Sequence, residues 1–411
     1  MELGAATGAR TGSRERGPGP GVLRSHARPL PSSPRRLRRV ALVAALVALI
    51  PALGSYLHTI AQPSNSSLGI RTVEWLRDNG ARGLVSQVES IYYSLTAPSK
   101  GGPTLRALPT VGFGSAGISR AGRTRTSSAG AGALAGTQAY RPPRVAPLIH
   151  PALPGEGVWR AARRSAGAGS PVLVTTLRDQ PEYPRVVAGL AWIDTTRTRL
   201  AMYPGRQEPA GEIPRGSMEL PRADRGGLLA SFNRAFKVSD SGGGFVLKGH
   251  TYAPMRDGQA TLIGYSDGRV DVRAWHSEST APHWVSFARQ NLPLIVDGGR
   301  INPQLNDSAE WGATLGNAVL VWRSAIGVDR RGNLIYAAGD NQTVRSLAQA
   351  LRHAGAIRAM ELDINSYWVS FITYGGWGAL DPVNLLPDMN RVATRYLTPD
   401  DRDFFAVYLR R

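Results

Sequence analysis

The chain has 411 residues, a formal net charge of +19 and no cysteine. Its length allows two to three domains, or one large domain with accessory segments, and a hydrophobic content of 42% excludes a wholly disordered protein. The lack of cysteine excludes structural disulfides, thiolate zinc sites and a cysteine nucleophile.

The excess positive charge lies mainly outside the region with the clearest folding pattern. Residues 1–39 carry +7 and residues 97–170 carry +9, and both are rich in Gly, Pro, Ser and Arg. Residues 171–411 carry only +3. Because a nucleic-acid-binding domain concentrates positive charge on its own folded face, we expect no nucleic-acid partner.

The N-terminal region has the layout of a membrane-anchored protein. Residues 1–39 show no apolar period, which predicts a disordered tail. Residues 40–61 begin with the apolar run VALVAALVALIPAL, and roughly 20 residues suffice to span a bilayer. The arginines within 35–39 should stay cytoplasmic. We predict a single-pass signal-anchor with the C-terminal part outside the cytoplasm; a cleaved signal peptide and a buried soluble helix are the alternatives.

Two segments separate this run from the remainder of the chain. Residues 62–96 contain two short amphipathic patterns that break at Gly80 and Gly83, which predicts a juxtamembrane helical segment. Residues 97–170 have a low-complexity composition dominated by Gly, Ala and Arg. We interpret them as a flexible linker between the membrane and the body.

The body, residues 171–411, alternates short strand patterns with turn residues. One clear helix follows Thr343, with an apolar stripe that includes Leu347 and Leu351, and ends at Gly355. A strand over 356–363 comes directly after it. The order predicts an α+β fold, with a mixed, mostly antiparallel β-sheet core and a few flanking helices.

Residues 264–268 (GYSDG) match the G-x-S-x-G pattern of a nucleophile elbow. That elbow joins a strand to a helix, whereas both flanks here, 260–265 and 269–275, alternate like strands. We therefore predict a hairpin turn of the Asp-Gly type instead of a serine nucleophile.

Two acids are candidates for catalysis. Glu361 and Asp363 share one face of the predicted strand. Burying a carboxylate costs folding free energy, so such a residue is expected either to have a partner or to serve a function. Asp363 also stands at the strand's C-terminal end, where clefts form in open sheets. The alternative is an acid pair satisfied by arginines or turn amides.

Two further residues lie beside strand patterns. Asp297 begins an Asp-Gly-Gly turn after the run 292–296, and turn chemistry alone could explain it. Arg323 precedes an apolar strand and could hold a phosphate in fork geometry, or form a salt bridge to one of the acids. The histidines show no metal-ligand spacing, so we expect no metal or cofactor.

Three blocks together resemble the phosphodiester glycosidase family, which includes the mannose 6-phosphate uncovering enzyme. Residues 323–334 (RSAIGVDRRGNL) resemble its R-(T/S)-A-I-G-x-D-x-x-G-x-L hairpin. The stretch 343–363 resembles its helix–strand block that ends in L-D-G-G-G-S. Residues 230–236 (ASFNRAF) resemble its N-G-G-F-F segment. The resemblance covers roughly 185–375, and the N-terminal layout resembles that of actinobacterial members.

The resemblance implies an extracytoplasmic hydrolase that cleaves the bond between a sugar's anomeric carbon and a phosphodiester, in envelope glycans or glycolipids. It implies acid or base catalysis by Asp363, with Glu361 and Asp297 as candidates for a second carboxylate. It implies substrate binding by a further set of residues: Arg323, Asn233, Asn365 and Ser366.

This sequence departs from the family at two glycine-rich positions. Arg234 and Ala235 replace the glycine pair after the asparagine, and residues 363–366 read DINS in place of the glycine loop. Glycines in such loops let the backbone approach a ligand closely. Ile364 and Asn365 would obstruct or reshape that approach. The replacements by Arg234 and Ile364 favour an alternative function, a non-catalytic envelope module that binds a glycan or a partner.

Overall fold

The computed structural model describes residues 34–109, 140–162, 169–306, 311, 319–375, 379 and 381–410. Its contacts divide the chain into two units, Met1–Leu57 and His58–Arg411. The predicted tail up to residue 33, residues 110–139 and 163–168 of the predicted linker, and a G-x-G-x-x-G match at 112–117 lie outside the described residues.

Helix α1 spans Pro34–Ala61 and carries the apolar run. None of its side chains is buried, although nearly all of them are apolar after Arg39. It is long and apolar enough to cross a membrane. The helix begins six residues before the predicted span and ends where the sequence pattern ends, so its first turns contain the arginine cluster.

A helical segment follows, as the amphipathic patterns indicate. Helix α2 (Leu68–Leu76) passes through a π-helical turn (Arg77–Ala81) into helix α3 (Arg82–Thr96). The kink lies at Gly80, whose φ of 90° is accessible to glycine at little cost. Gly83, the second predicted break, lies inside α3.

The body contains three sheets in which every strand pairing among the described residues is antiparallel. In spatial order, the eight-stranded sheet consists of β1 (Arg160–Ala161), β2 (Val172–Leu177), β3 (Ala188–Ile193), β14 (Leu334–Gln342), β13 (Val321–Asp329), β15 (Ala356–Glu361), β11 (Val296–Asp297) and β12 (Arg300–Ile301). One five-stranded sheet consists of β7 (His250–Ala253), β6 (Phe245–Leu247), β10 (Val285–Gln290), β8 (Ala260–Tyr265) and β9 (Val270–Ala274). The other consists of β17 (Val383–Asn384), β16 (Phe371–Thr373), β5 (Leu228–Asn233), β18 (Phe404–Leu409) and β4 (Thr198–Tyr203).

The body has two remaining α-helices among its described residues, α4 (Val238–Ser241) and α5 (Val344–His353). Thr343 and Ser346 form a reciprocal capping box at the start of α5, which satisfies two N–H groups that the first turn leaves unpaired. Helix α5 joins β14 to β15 across the intervening β13, the crossover that a helix followed directly by a strand indicates.

The central strands of the large sheet are buried on both faces. One face packs on α5, with Ala325 and Leu347 in a common apolar cluster. The opposite face packs against the smaller sheets through an apolar cluster that includes Ile326, Phe232 and Phe405. The predicted α+β class, with antiparallel sheets and few helices, is confirmed.

Two predictions need correction. The linker prediction is wrong for residues 140–162, because Glu156 is fully buried in an ion pair of 2.8 Å with Arg178, and β1 pairs with β2. The folded body therefore starts well before residue 171. The run 292–296, predicted as a strand, enters the sheet only at its last residue, Val296.

The residues 264–268 form the predicted hairpin turn between β8 and β9.

Candidate active site

The ends of three strands meet on one side of the body. Strand β15 ends at Glu361 and leads into Asp363, β5 ends at Asn233 and leads into Arg234, and β18 starts directly after Asp403. A pocket opens here, and its body side is lined by cationic, aromatic and acidic side chains: Arg234, Phe236, Lys237, Asp240, Asp363, Asn365, Trp368 and Arg402.

Asp363 lies at the base of this pocket and is only 4% exposed. Its backbone is fixed by β13, because Ser324 donates its N–H to the Asp363 carbonyl at 2.9 Å and its hydroxyl accepts from the Asp363 N–H at 3.1 Å. The carboxylate accepts the Asn365 N–H at 3.0 Å. Burial raises the pKa of Asp363, against the opposing effect of Arg234, so the carboxyl holds its proton to a higher pH than an exposed aspartate does.

Arg234, which replaces a family glycine, lies between two carboxylates. Its guanidinium is 3.7 Å from Asp363 and 3.4 Å from Asp403. Asp403 in turn pairs with the fully buried Arg289 at 3.1 Å. Arg234 therefore reduces the free volume of the pocket and at the same time supplies a positive charge beside the candidate catalytic carboxyl.

Asn233 does not face the pocket. Its side-chain nitrogen donates to Ser324 at 3.0 Å, and its oxygen accepts from the Tyr336 hydroxyl at 2.9 Å and the Ser370 N–H at 3.1 Å. With these groups engaged and 1% exposure, it has no capacity left for a ligand. The structure thus makes Asn233 a positioning residue that holds the Ser324 hydroxyl on which Asp363 rests.

Arg323 and Glu361 form a buried ion pair at 2.7 Å, and both are 0% exposed. The guanidinium also donates to three backbone carbonyls, those of Trp311, Val319 and Gln342. A phosphate cannot reach a guanidinium engaged in this way. The structure therefore contains the alternative that the sequence allowed for Arg323, a salt bridge to one of the acids. Burial raises the pKa of Glu361 against the effect of Arg323.

Replacing Arg323 with Ala would leave a fully buried carboxylate without its cation. We expect the free energy of unfolding to fall by about 3–5 kcal/mol, the range for removing one partner of a buried ion pair. Urea denaturation would measure the loss, and the exposed Arg330→Ala variant serves as control, with a change within about 0.5 kcal/mol. Equal effects in the two variants would contradict a structural role for this pair.

Asp297 lies far from Asp363. It is exposed and forms the hairpin from β11 to β12 with Gly298 and Gly299, whose φ values are 55° and 75°. Val296 pairs with Ala359, and the Gly299 N–H donates to the Ile357 carbonyl, so the hairpin lies toward the start of β15. Asp363 follows the other end of that strand. Asp297 is therefore a turn residue and not a second carboxylate of this pocket.

The loop after Asp363 has two sides. Asn365 lines the pocket, and its side-chain oxygen accepts from the Tyr367 N–H at 2.9 Å. Ser366 is half-buried. Ile364 turns the other way, into an apolar cluster with Phe236 and Val321. The isoleucine that replaces a glycine of the family therefore packs in the core and does not fill the pocket.

Helices α2 and α3 cover the pocket, a feature that sequence reasoning missed. Glu74 of α2 forms an ion pair of 2.6 Å with Lys237 and a closer one with Arg402. Asp78 lies 3.3 Å from Lys237, and Arg82 of α3 lies 3.3 Å from Asp240. With the helices in place the cavity measures about 40 Å³, far less than a sugar phosphodiester requires.

The segment before α2 is also attached to the body. The hydroxyl of Ser66 donates to Asp401 at 2.7 Å, and the Asn65 side chain donates to Asp400 at 3.1 Å. The Ser67 N–H donates to the Tyr367 hydroxyl at 3.0 Å. At the other end of the segment, Tyr93 of α3 packs on the Ile364 cluster. We call residues 64–96 the cover.

Glu74 is the ionic centre of the cover. Burial acts to raise its pKa, but Arg402 and Lys237 outweigh this and lower the pKa to about 2. Because the folded-state pKa lies below the ordinary value, the stabilisation is fully present above about pH 4.5 and is lost as the pH falls toward 2.

We therefore expect Glu74→Gln to lower the free energy of unfolding by up to about 3 kcal/mol at pH 7 and by almost nothing near pH 2. Chemical denaturation of both proteins across this pH range measures the difference. Glu89→Gln is the matched control, because burial raises the pKa of Glu89 despite Arg77, so ionised Glu89 adds no comparable stability at neutral pH. A difference for Glu74 that does not change with pH would contradict the assignment.

The sequence gives only weak indications that Arg402, Lys237 and Arg234 belong to the pocket. Arg402 lies in the polar run 399–403 (PDDRD), which composition alone suggests is a solvated loop. In the structure Asp400, Arg402 and Asp403 are at most 2% exposed. Lys237, one of only three lysines, had no motif around it. Arg234 was visible only as a departure from the family pattern.

The fold and site are those of an α+β protein with an acid and several cations around one pocket. Residues 226–363, about a third of the chain, match the family model of the phosphodiester glycosidases. The matched stretch contains the end of β5, Lys237 and Asp363. The family resemblance of the sequence is thus confirmed over this stretch, while Arg402 and the cover lie outside it.

Three of the similar solved structures come from different organisms. The catalytic domain of zebrafish N-acetylglucosamine-1-phosphodiester alpha-N-acetylglucosaminidase, described as auto-inhibited by its pro-peptide, is 16% identical with a TM-score of 0.40, over 58% of this chain and 82% of that one. A hypothetical Synechocystis protein is 13% identical, with a TM-score of 0.32 and coverages of 58% and 64%. A putative exported protein of Burkholderia pseudomallei K96243 is 11% identical, with a TM-score of 0.31 and coverages of 56% and 75%. No curated protein matches the chain.

Proposed function

We propose that this chain is a membrane-anchored phosphodiester glycosidase that hydrolyses a sugar-1-phosphodiester in envelope glycans or glycolipids. The observation that carries the proposal is the buried Asp363 carboxyl, with its raised pKa, in a pocket whose body side contains three cations, Arg234, Lys237 and Arg402. The match of residues 226–363 to the family supports the same reaction class.

The proposed chemistry needs an acid and a positive field. Asp363 donates its proton to the phosphate oxygen that leaves the anomeric carbon, and the bond between that carbon and oxygen breaks. Water adds to the anomeric carbon, and its proton returns to Asp363. Lys237 and Arg402 balance the negative charge of the departing phosphate monoester. The products are the free sugar and that monoester.

The cover must move for a substrate to enter. The Glu74 carboxylate occupies the position between Lys237 and Arg402 that a substrate phosphate would take, so the cover and the substrate compete for the same cations. We propose that residues 64–96 keep the site closed until they are displaced. The contacts of Glu74 and the small volume of the closed cavity support this proposal.

We place the body outside the cytoplasm. Helix α1 is long and apolar enough to span a bilayer, and the arginines at its start favour a cytoplasmic N-terminus. Protease treatment of intact cells tests this placement: digestion of the body is expected, and full protection of the body would overturn it.

The experiment for the activity uses the chain in detergent and its Glu74→Gln variant. Each is incubated with sugar-1-phosphodiesters that differ in the sugar and the aglycone, and free sugar is measured. We expect both proteins to release free sugar. Release should be faster in Glu74→Gln, because that variant weakens the ionic centre of the cover. No release by either protein from any substrate of the panel would overturn the hydrolase proposal.

One observation favours the alternative, a non-catalytic glycan-binding module. Arg234 lies 3.7 Å from the Asp363 carboxylate and occupies space that a glycine leaves open. Tight binding of a sugar phosphodiester by Glu74→Gln without any turnover, and retained in Asp363→Asn, would establish the module in place of the enzyme.

A further inference from the structure

A second site lies on a different part of the body. A groove of about 590 Å³ is bordered by the β8–β9 hairpin, the β13–β14 turn and the start of β15. Its walls contain six arginines: Arg269, Arg273, Arg330, Arg331, Arg358 and Arg410. The groove is large enough for a ligand of several ring units.

The groove is distant from the pocket at Asp363. Ile357 and Arg358 line the groove at the start of β15, whereas Asp363 follows the end of the same strand. Six residues of extended chain between Ile357 and Asp363 correspond to about 20 Å. The groove is therefore a separate site on the other end of the large sheet.

The groove concentrates the positive charge of the body. Two acids, Asp271 and Asp329, line it, and Asp267 lies next to it in the hairpin. Six arginines against three acids leave +3, which equals the net charge of the whole stretch 171–411. The remainder of the stretch 171–411 is therefore balanced, so the excess charge of this stretch lies at the groove.

The acids neutralise only some of the arginines, chiefly Arg358, which forms an ion pair with Asp271. The Asp329 carboxylate accepts hydrogen bonds from three N–H groups: the Arg331 backbone at 2.8 Å, the Asn333 backbone at 2.9 Å and the Trp192 side chain at 3.2 Å. Among the described residues Asp267 pairs only with Arg269, and both are exposed, so that pair is weak. Within the described residues, the exposed Arg273 and Arg330 have no carboxylate partner.

Several guanidinium groups are held in place before any ligand binds. Arg358 donates to the Val272 carbonyl at 2.7 Å and pairs with Asp271 at 2.6 Å. Arg410 donates to the Gly268 carbonyl at 3.0 Å. Arg331 stacks on Tyr140, 4.1 Å from the ring centroid. Fixed guanidinium groups lose less entropy when they bind an anion, and their fork geometry matches phosphate oxygens.

We propose that this groove binds a polyanionic polymer through several of its phosphate groups. A concave site favours a single chain over a membrane, which presents a flat charged surface to basic residues. Tyr265 is the aromatic side chain among the lining residues, so the groove lacks the succession of stacking platforms that single-stranded nucleic acids use. The phosphate groups that repeat along the polymer therefore determine binding more than the chemical units that join them.

The test titrates the chain in detergent with inorganic polyphosphate and with orthophosphate at several salt concentrations. The Arg273→Ala/Arg330→Ala double variant removes two groove charges that make no ion pair among the described residues. The matched control, Arg222→Ala/Arg352→Ala, removes the same charge from exposed arginines elsewhere.

We expect the groove variant to bind polyphosphate at least tenfold more weakly and to lower the slope of log affinity against log salt by about one to two. The control should change affinity less than threefold. Equal losses in both double variants would reduce the effect to net charge and overturn the proposal. So would tighter binding of anionic vesicles or of a single-stranded oligonucleotide than of polyphosphate. Because the readout is binding, its result does not depend on turnover at Asp363.

Discussion

Replacing Asp363 with Asn is expected to lower the release of sugar by 10²–10⁴-fold, the contribution of a positioned acid or base. Asparagine keeps the shape and can still accept the Asn365 N–H, but it has no proton to transfer at the anomeric carbon. Arg234 keeps Asp403 as its ion-pair partner, so we expect the variant to fold. The measurement compares initial rates in the Glu74→Gln background, where the cover is weakened.

The pH profile separates a chemical role from a structural one. Since burial raises the pKa of Asp363, the protonated form persists above the ordinary aspartate range, and activity that uses this proton falls as the pH rises through the raised value. That limb should disappear in Asp363→Asn. Asp297→Asn is the control, because Asp297 is exposed in a distant hairpin and should leave both rate and profile unchanged. A variant at Asp363 with native activity would remove the residue from the mechanism.

Tying the cover to the body is expected to lower turnover by at least tenfold, reversibly. The chain has no cysteine, so an Arg82→Cys/Asp240→Cys variant carries two unique thiols where α3 and α4 form an ion pair. A cleavable bifunctional thiol reagent joins them and holds the cover over Asp363. Turnover should recover when the linker is cut.

Two controls address the reagent and the linkage. The single-cysteine variants show what modification alone does. Asp257→Cys/His276→Cys replaces another exposed pair, 3.0 Å apart, that does not involve the cover, and its linkage should leave turnover unchanged. Full activity in the linked Arg82/Asp240 variant would mean that substrate reaches the site without displacement of α2 and α3.

Closure by Glu74 has a consequence for how the site opens. The pKa of Glu74 is about 2, so mild acidification does not protonate it and cannot release the cover. A competing anion, which binds Lys237 and Arg402 in place of the carboxylate, can shift the equilibrium by its difference in affinity for the open and closed states. Substrate itself is such an anion under the proposed function.

Patterns among neighbouring residues of the sequence predicted much of the architecture. Alternating residues predicted β8 with its observed bounds, and Thr343 and Gly355 marked the ends of α5. The long apolar run predicted α1. These features depend on neighbours in sequence, since the period of a strand or helix and the chemistry of its caps are local properties. The same reasoning selected Asp363 from its place after a central strand.

The composition of the site depended on contacts between distant segments. Strand β5 pairs with β18 in a register that sets Asn233 opposite Phe404, which places Arg234 beside Asp403 and near Asp363. No periodicity within either strand specifies that register. The same limit applied to Arg323 and Asn233: their residue types suit substrate binding, but burial and hydrogen bonds to remote groups use up their donors and acceptors.

By itself the sequence determined an apolar N-terminal helix, a body of short strands with one capped helix, and an acid at the end of a central strand. Only the tertiary structure decided that Lys237 and Arg402 join that acid, that Arg323 and Glu361 neutralise each other in the core, and that Glu74 closes the pocket. The physical reason is that hydrophobic periodicity records which face of each element is buried. The ionised groups that meet when those faces come together are set by the packing of the whole chain.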